Sequence, residues 1–231
     1  MTVSTARLGQ AAAIAATAAG AIFIAVQINH PPTTLDSVTT TDWMIRSTAK
    51  AVMVALALVG ITGMYLRQRA EVGILGLLGY LILSTGYFLM FGTEYLAAFA
   101  LPTAAHTDPA WVGSVVNAAY GGKPATDIGA LHTVFALTGA GYVAGGLIFG
   151  IATYRAGILN RWAAALLAVG NTGTLALAVL PSSFNRPLAV PTGLALIGLG
   201  ISLWRDQRRS ATYPAADMVS PAQVRPAVSL R

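Results

Sequence analysis

Six apolar stretches of near-bilayer length limit what this chain can fold into. They cover approximately residues 9–28, 44–66, 72–93, 129–153, 162–180 and 187–204. A hydrocarbon core about 30 Å thick takes roughly 20 helical residues to cross. Backbone in lipid must satisfy its own hydrogen bonds, so each stretch is expected to be an α-helix. A β-barrel would need short alternating segments with a polar interior, and none of these stretches alternates in that way. Composition agrees: the 231 residues are 55% hydrophobic and 10% charged, with a mean hydropathy of +0.66. Soluble domains are about one quarter charged. The expected fold is all-α, a polytopic membrane bundle of six transmembrane helices over residues 1–204. A basic tail, 205–231, is rich in Ala, Pro and Ser and is expected to be disordered.

The first stretch, MTVSTARLGQAAAIAATAAGAIFIAV, has one early cation and an alanine-rich core, as a signal peptide does. It is long for such a segment and runs into QINHPP without an obvious small-x-small cleavage site, so a retained span is expected. The sixth stretch carries Pro187 and Pro191 in its first turns, where the missing N–H groups have no intrahelical partner to lose. Orientation follows from the cations. Alternate connections place Arg7, Arg67, Arg69, Arg155, Arg161, Arg205, Arg208, Arg209, Arg225 and Arg231 on one side. Arg46, Lys50, Lys123 and Arg186 fall on the other, which accounts for all 14. Ten against four puts both termini in the cytoplasm of a plasma-membrane protein. The net charge of +6 then faces anionic lipid headgroups and implies no nucleic acid.

On the outer side one connection is long. Within it Asp108 and Pro109 read as a helix cap and first position, and Gly121–Gly122 as a stop. Trp111, Val112, Val115, Val116 and Ala119 share a helical face, which predicts a short interfacial helix over 109–119, with Trp111 and Tyr120 at headgroup level. Gly73, Gly76, Gly79, Gly141, Gly145, Gly146 and Gly150 are expected to let helices approach closely. There is also an internal echo. Each of two stretches, after Asp42 and after Asp127, runs to a turn followed by Gly-Ile-Leu, at Gly73 and Gly157, as in a duplicated helical hairpin. Chance among alanine- and leucine-rich helices explains the echo equally well.

The candidate site is a set of polar residues on the cation-poor side. Arg46 and Lys50, four apart, lie on one face of the second stretch. Ionisable groups below the interface tend to face the bundle and find a partner there. The outer half offers Glu94, His132 and Arg186, so the candidate cluster is Arg46, Lys50, Glu94, His132 and Arg186. Glu94 is followed by YLAAFALP and not by a polar loop, which favours pairing it with Arg46 or Lys50. Ligand binding, structural ion pairing and independent snorkelling all fit these residues. Asn171, deep in a span, is expected to bond between helices. With no cysteine and three histidines, no metal or other cofactor is indicated, and no G-x-S-x-G elbow is present.

The HPP…TTTDW approach to the second stretch, FGTEYLAAFALP and RAGILNRWAAALLAVG resemble six-span integral membrane proteins common in actinobacteria. That family has no assigned activity, so the resemblance implies topology and no functional residue. The expected function is binding of a lipid or other hydrophobic metabolite in an outer-leaflet cavity. An accessory subunit of a larger membrane complex, or a homo-oligomer, is the alternative. A small transporter comes third, since no span carries a midplane carboxylate.

Overall fold

The computed structural model describes residues 4–178, 180, 184 and 186–212. Its backbone is all-helical. Four helices among these residues are long and apolar enough to cross a membrane: Thr5–Ala25 (α1), Thr41–Phe99 (α3), Leu131–Ala156 (α6) and Pro187–Arg209. The last belongs to α8, Val190–Thr212, entered through a 3-10 turn, Pro187–Ala189. Between them lie Leu35–Val38 (α2), Leu101–Thr107 (α4), Pro109–Ala119 (α5) and Arg161–Gly173 (α7), the last continued by a 3-10 turn, Thr174–Ala178. The expected stretches fall on these segments, two of them on α3, but the fifth, 162–180, is α-helical only as far as Gly173. α8 runs to Thr212, past the expected boundary at 204. The remainder of the tail lies outside the described residues.

Helix α3, 59 residues long, would measure about 90 Å if straight. It does not run straight. Gln68 leaves helical geometry, and Gly73 takes φ +57°, ψ −155°, a conformation open to glycine. The chain folds back there. Trp43 Nε1 donates to Ala97 O at 3.0 Å, the Thr62 and Tyr80 hydroxyls meet at 3.1 Å, and the Tyr65 and Tyr80 rings stack at 4.6 Å. The helix is therefore a hairpin with antiparallel arms, residues 41–68 and 73–99. Gln68 is buried at the bend and donates to Thr153 Oγ1 at 2.8 Å, fixing the hairpin to α6. Gly157 ends α6 in the left-handed conformation, φ +69° and ψ 8°, and Asn160 Oδ1 then caps α7 by accepting from Ala163 N–H at 2.9 Å.

The six rods form a closed ring: α1, first arm, second arm, α6, α7, α8 and back to α1. Glycine sets each of the seams described next. Gly60 and Gly63 of the first arm lie on Ala16 and Ala12 of α1, and Gly20 of α1 on Gly193 of α8. Gly79 and Gly86 meet Phe149 and Gly141 of α6, while Gly145 of α6 meets Leu83. Gly150 meets Ala164 and Ala168 of α7, and Gly170 of α7 meets Thr192 of α8. The packing expected of the glycines thus holds at Gly79, Gly141, Gly145, Gly146, which meets Asn171 of α7, and Gly150. Gly73 instead makes the bend. Neighbours run antiparallel, so the start of α1, the α3 bend and the end of α8 share one end, where Gly9 abuts Gln207. Arg67 grips Asp206 there with two bonds, Nη2 to Oδ1 at 2.8 Å and Nε to Oδ2.

A closed polar triad ties α6, α7 and α8 together. Tyr142 Oη donates to Thr192 Oγ1 (2.9 Å), Thr192 Oγ1 to Asn171 Oδ1 (3.0 Å), and Asn171 Nδ2 to Tyr142 O (2.9 Å). This is the interhelical role expected of Asn171. Outward, the rods present large apolar side chains, among them Ile74 (78% exposed), Phe88 (68%) and Trp162 (80%). That surface suits lipid and would be an aggregation hazard in water.

Candidate functional site

At the end of the ring opposite the α3 bend lies a cavity of about 540 Å³. This falls within the roughly 300–1,000 Å³ typical of small-molecule sites. Four rods contribute, with Phe23 from α1, Trp43 and Met53 from the first arm, Met90 from the second and Phe135 from α6, and the segments after α7 and ahead of α8 add Leu177 and Arg186. The expected helix 109–119 is present with those bounds. Asp108 Oδ1 accepts from Trp111 N–H at 3.0 Å, and Pro109 occupies the first turn. Val112, Val115 and Val116 are buried with Val38, Trp43, Leu101 and Ile128 in a second apolar cluster. The helix therefore packs on the bundle as a cover, and Val115, Val116, Ala119 and Tyr120 face the cavity from it.

The candidate residues separate into three groups. Lys50 and Glu94 meet: Nζ and Oε2 are 3.7 Å apart, and both side chains are mostly buried, at 13% and 21% exposed. That distance gives Coulomb attraction but is long for a hydrogen bond, so both groups keep bonding capacity toward the cavity they line. Arg186 lines the same cavity from across the ring. Its Nη1 donates to Gln27 Oε1 at 3.3 Å, and its Nη2 lies 2.9 Å from His30 Nδ1.

Arg46 and His132 stand apart, which corrects the expected cluster. Arg46 turns away from the cavity: Nε bonds both oxygens of Asp42, at 2.9 and 3.0 Å, and Nη1 donates to Val26 O (3.2 Å) and Ile28 O (2.8 Å). A carboxylate one turn back and the orphan carbonyls ending α1 together outcompete the distant Glu94. His132 is exposed and does not line the cavity, since the first turn of α6 faces outward there. Asp127, an acid close in sequence to His132, is spent on its own turn, accepting from Gly129 N–H at 2.8 Å.

The histidine at the site is His30, from the loop after α1. Burial pushes its pKa down from 6.5 to about 4, against a bond between Nδ1 and Pro31 O (2.8 Å) that raises it, and the nearby Lys50, Arg186 and Arg46 lower it further. The ring is therefore neutral at physiological pH. Its Nε2 is buried without a hydrogen-bond partner among the described residues. The sequence signal for His30 was its place in QINHPP directly after the first span. Adjacency of α1 and α8 in the ring, which brings it to Arg186, is not written in chain order.

Lys50, Glu94 and Arg186 bring two formal positive charges and one negative to the cavity wall. Such a space can hold an amphiphile, with apolar walls for its body and cations for an anionic group. Among the described residues no group of three or more His, Asp or Glu side chains has metal-binding geometry. No family model, curated protein or solved structure matches the chain.

Proposed function

We propose that this chain is a plasma-membrane protein of six spans that binds a lipid or similar hydrophobic metabolite in an outer-leaflet cavity. The carrying observation is the 540 Å³ cavity itself, apolar in its walls and cationic at one edge. The six-span reading rests on the α3 hairpin, which makes two rods of one helix, and on α7 with its 3-10 extension. Cytoplasmic termini rest on the cation count, since short-loop Lys and Arg resist translocation. The cavity, at the far end from the α3 bend, then opens in the outer leaflet. Relationship to the actinobacterial six-span proteins belongs to this same reading.

The accessory-subunit alternative expects a filled interior and a glycine-rich face left free for a partner. Here the α6 glycines 141, 145, 146 and 150 are all taken by the chain's own helices, which favours the cavity reading. The test uses Trp43, whose indole lines the cavity. Titrating delipidated protein in nanodiscs with brominated palmitate should give saturable fluorescence quenching that Trp43→Phe largely removes. Linear, unsaturable quenching, equal in both proteins, would contradict binding.

A further inference from the structure

Resting on that cavity reading, we propose that the ligand's head has two parts. One is an oxyanion, carboxylate or phosphate, gripped by Arg186. The other is a hydroxyl beside it, bound by the Lys50–Glu94 pair.

The oxyanion follows from what Arg186 lacks. A guanidinium carries its N–H donors in a planar fork that suits the paired oxygens of a carboxylate or phosphate. Among the described residues Arg186 makes no ion pair. One donor reaches Gln27 Oε1, at a long 3.3 Å. Its other contact is His30 Nδ1, 2.9 Å from Nη2, and the same nitrogen lies 2.8 Å from Pro31 O. A nitrogen of a neutral imidazole either donates or accepts. With the proton on Nδ1, the ring serves Pro31 O and presents an N–H to Arg186. With Nδ1 bare, the ring accepts from Arg186 but turns a lone pair on the Pro31 oxygen, and the N–H moves to Nε2, which is buried without a partner. Neither tautomer satisfies both neighbours. The fork is therefore short of acceptors, and it lines the cavity that can supply one.

The hydroxyl follows from the looseness of the Lys50–Glu94 pair. At 3.7 Å, Nζ and Oε2 attract each other without a good hydrogen bond. Both side chains are mostly buried in the cavity wall, where a charge lacking hydrogen bonds is costly. A hydroxyl donates to a carboxylate and accepts from an ammonium, so one neutral group completes both. Ser47, one turn before Lys50 on the same arm, gives this wall a further polar group. Charge favours a hydroxyl over an amine. One anion balances the two formal positive charges and one negative of the wall, whereas an ammonium would add a third cation beside Lys50. Lys50 and Arg186 both act on the His30 ring, so the two halves of the site share one polar neighbourhood.

The test measures binding by calorimetry in zwitterionic nanodiscs, with empty nanodiscs as the blank. Two ligand pairs differ only in hydroxyls: β-hydroxydecanoate against decanoate, and dihexanoyl phosphatidylglycerol against dihexanoyl phosphatidylpropanol. Glycerol phosphate supplies a head without an apolar body. In at least one pair, wild type should bind the hydroxyl-bearing member about tenfold more tightly, the gain from a hydrogen bond to a charged group. That pair identifies the source of the oxyanion. The double variant Lys50→Met/Glu94→Leu removes the pair without stranding either charge, and it should lose this preference. Arg186→Gln should weaken both members alike, and glycerol phosphate should bind far more weakly than either lipid. Equal affinities within both pairs, or a preference that survives in the double variant, would overturn the hydroxyl site. Unchanged affinities in Arg186→Gln would overturn the oxyanion site, and glycerol phosphate binding as tightly as the lipids would overturn an amphiphilic ligand. Wild type binding none of the four amphiphiles would instead remove the cavity reading itself.

Discussion

Lys50 Nζ stands 3.7 Å from Glu94 Oε2 across the two arms of the α3 hairpin. The pair bridges the two arms in the wall of the cavity. Each side chain is mostly buried, so either one left alone is an uncompensated charge in an apolar setting. In a double-mutant cycle of Glu94→Gln and Lys50→Met, the combined loss should fall short of the summed losses by about 1–2 kcal/mol. The cycle of Glu94→Gln with Arg46→Met should be additive, because Arg46 is bound to Asp42 and to the end of α1. Coupling of Arg46 equal to that of Lys50 would refute this arrangement. Thermal unfolding in nanodiscs supplies the measurement.

The seam between the second arm and α6 makes a second prediction. Gly86→Leu or Gly141→Leu places a side chain where backbone already stands, and overpacking of this kind costs about 1–3 kcal/mol. Gly113→Ala, at a position with open space, should change stability little. Melting temperatures of the three variants decide it; a Gly86 variant as stable as wild type would mean that the helices do not touch there.

His30 predicts a pH dependence. Its pKa falls from 6.5 to about 4 on folding, so between those values the unfolded chain binds more protons than the folded one. Stability conferred by the neutral ring is then present above pH 6.5 and lost as pH falls toward about 4. His30→Gln should flatten the melting temperature between those limits relative to wild type. Parallel wild-type and variant profiles would show that the ring is not held neutral by the fold.

Much of this architecture was legible in the sequence, for physical reasons. Apolar runs of bilayer length announce the rods. Asp108, Pro109 and the valine stripe give α5 its bounds, and the Gly-Ile-Leu turns mark two of the positive-φ glycines, Gly73 and Gly157. The Lys50–Glu94 pair followed from two charges on a side that disfavours them. What chain order does not encode is which rods adjoin. His30 meets Arg186 only because α1 and α8 close the ring, whereas Arg46 finds the end of α1 because the first arm packs along α1. His132 shows the limit of placing a residue by depth alone, since depth leaves its direction around the helix undetermined.

The central claim, an amphiphile held in the cavity by Arg186, is tested most directly by native mass spectrometry. The protein would be released from its own membrane, wild type beside Arg186→Gln. Wild type should carry a bound lipid or similar hydrophobic metabolite with an anionic group, largely lost in the variant. Bare protein in both, the same adducts in both, or a bound partner chain in place of a lipid would contradict it.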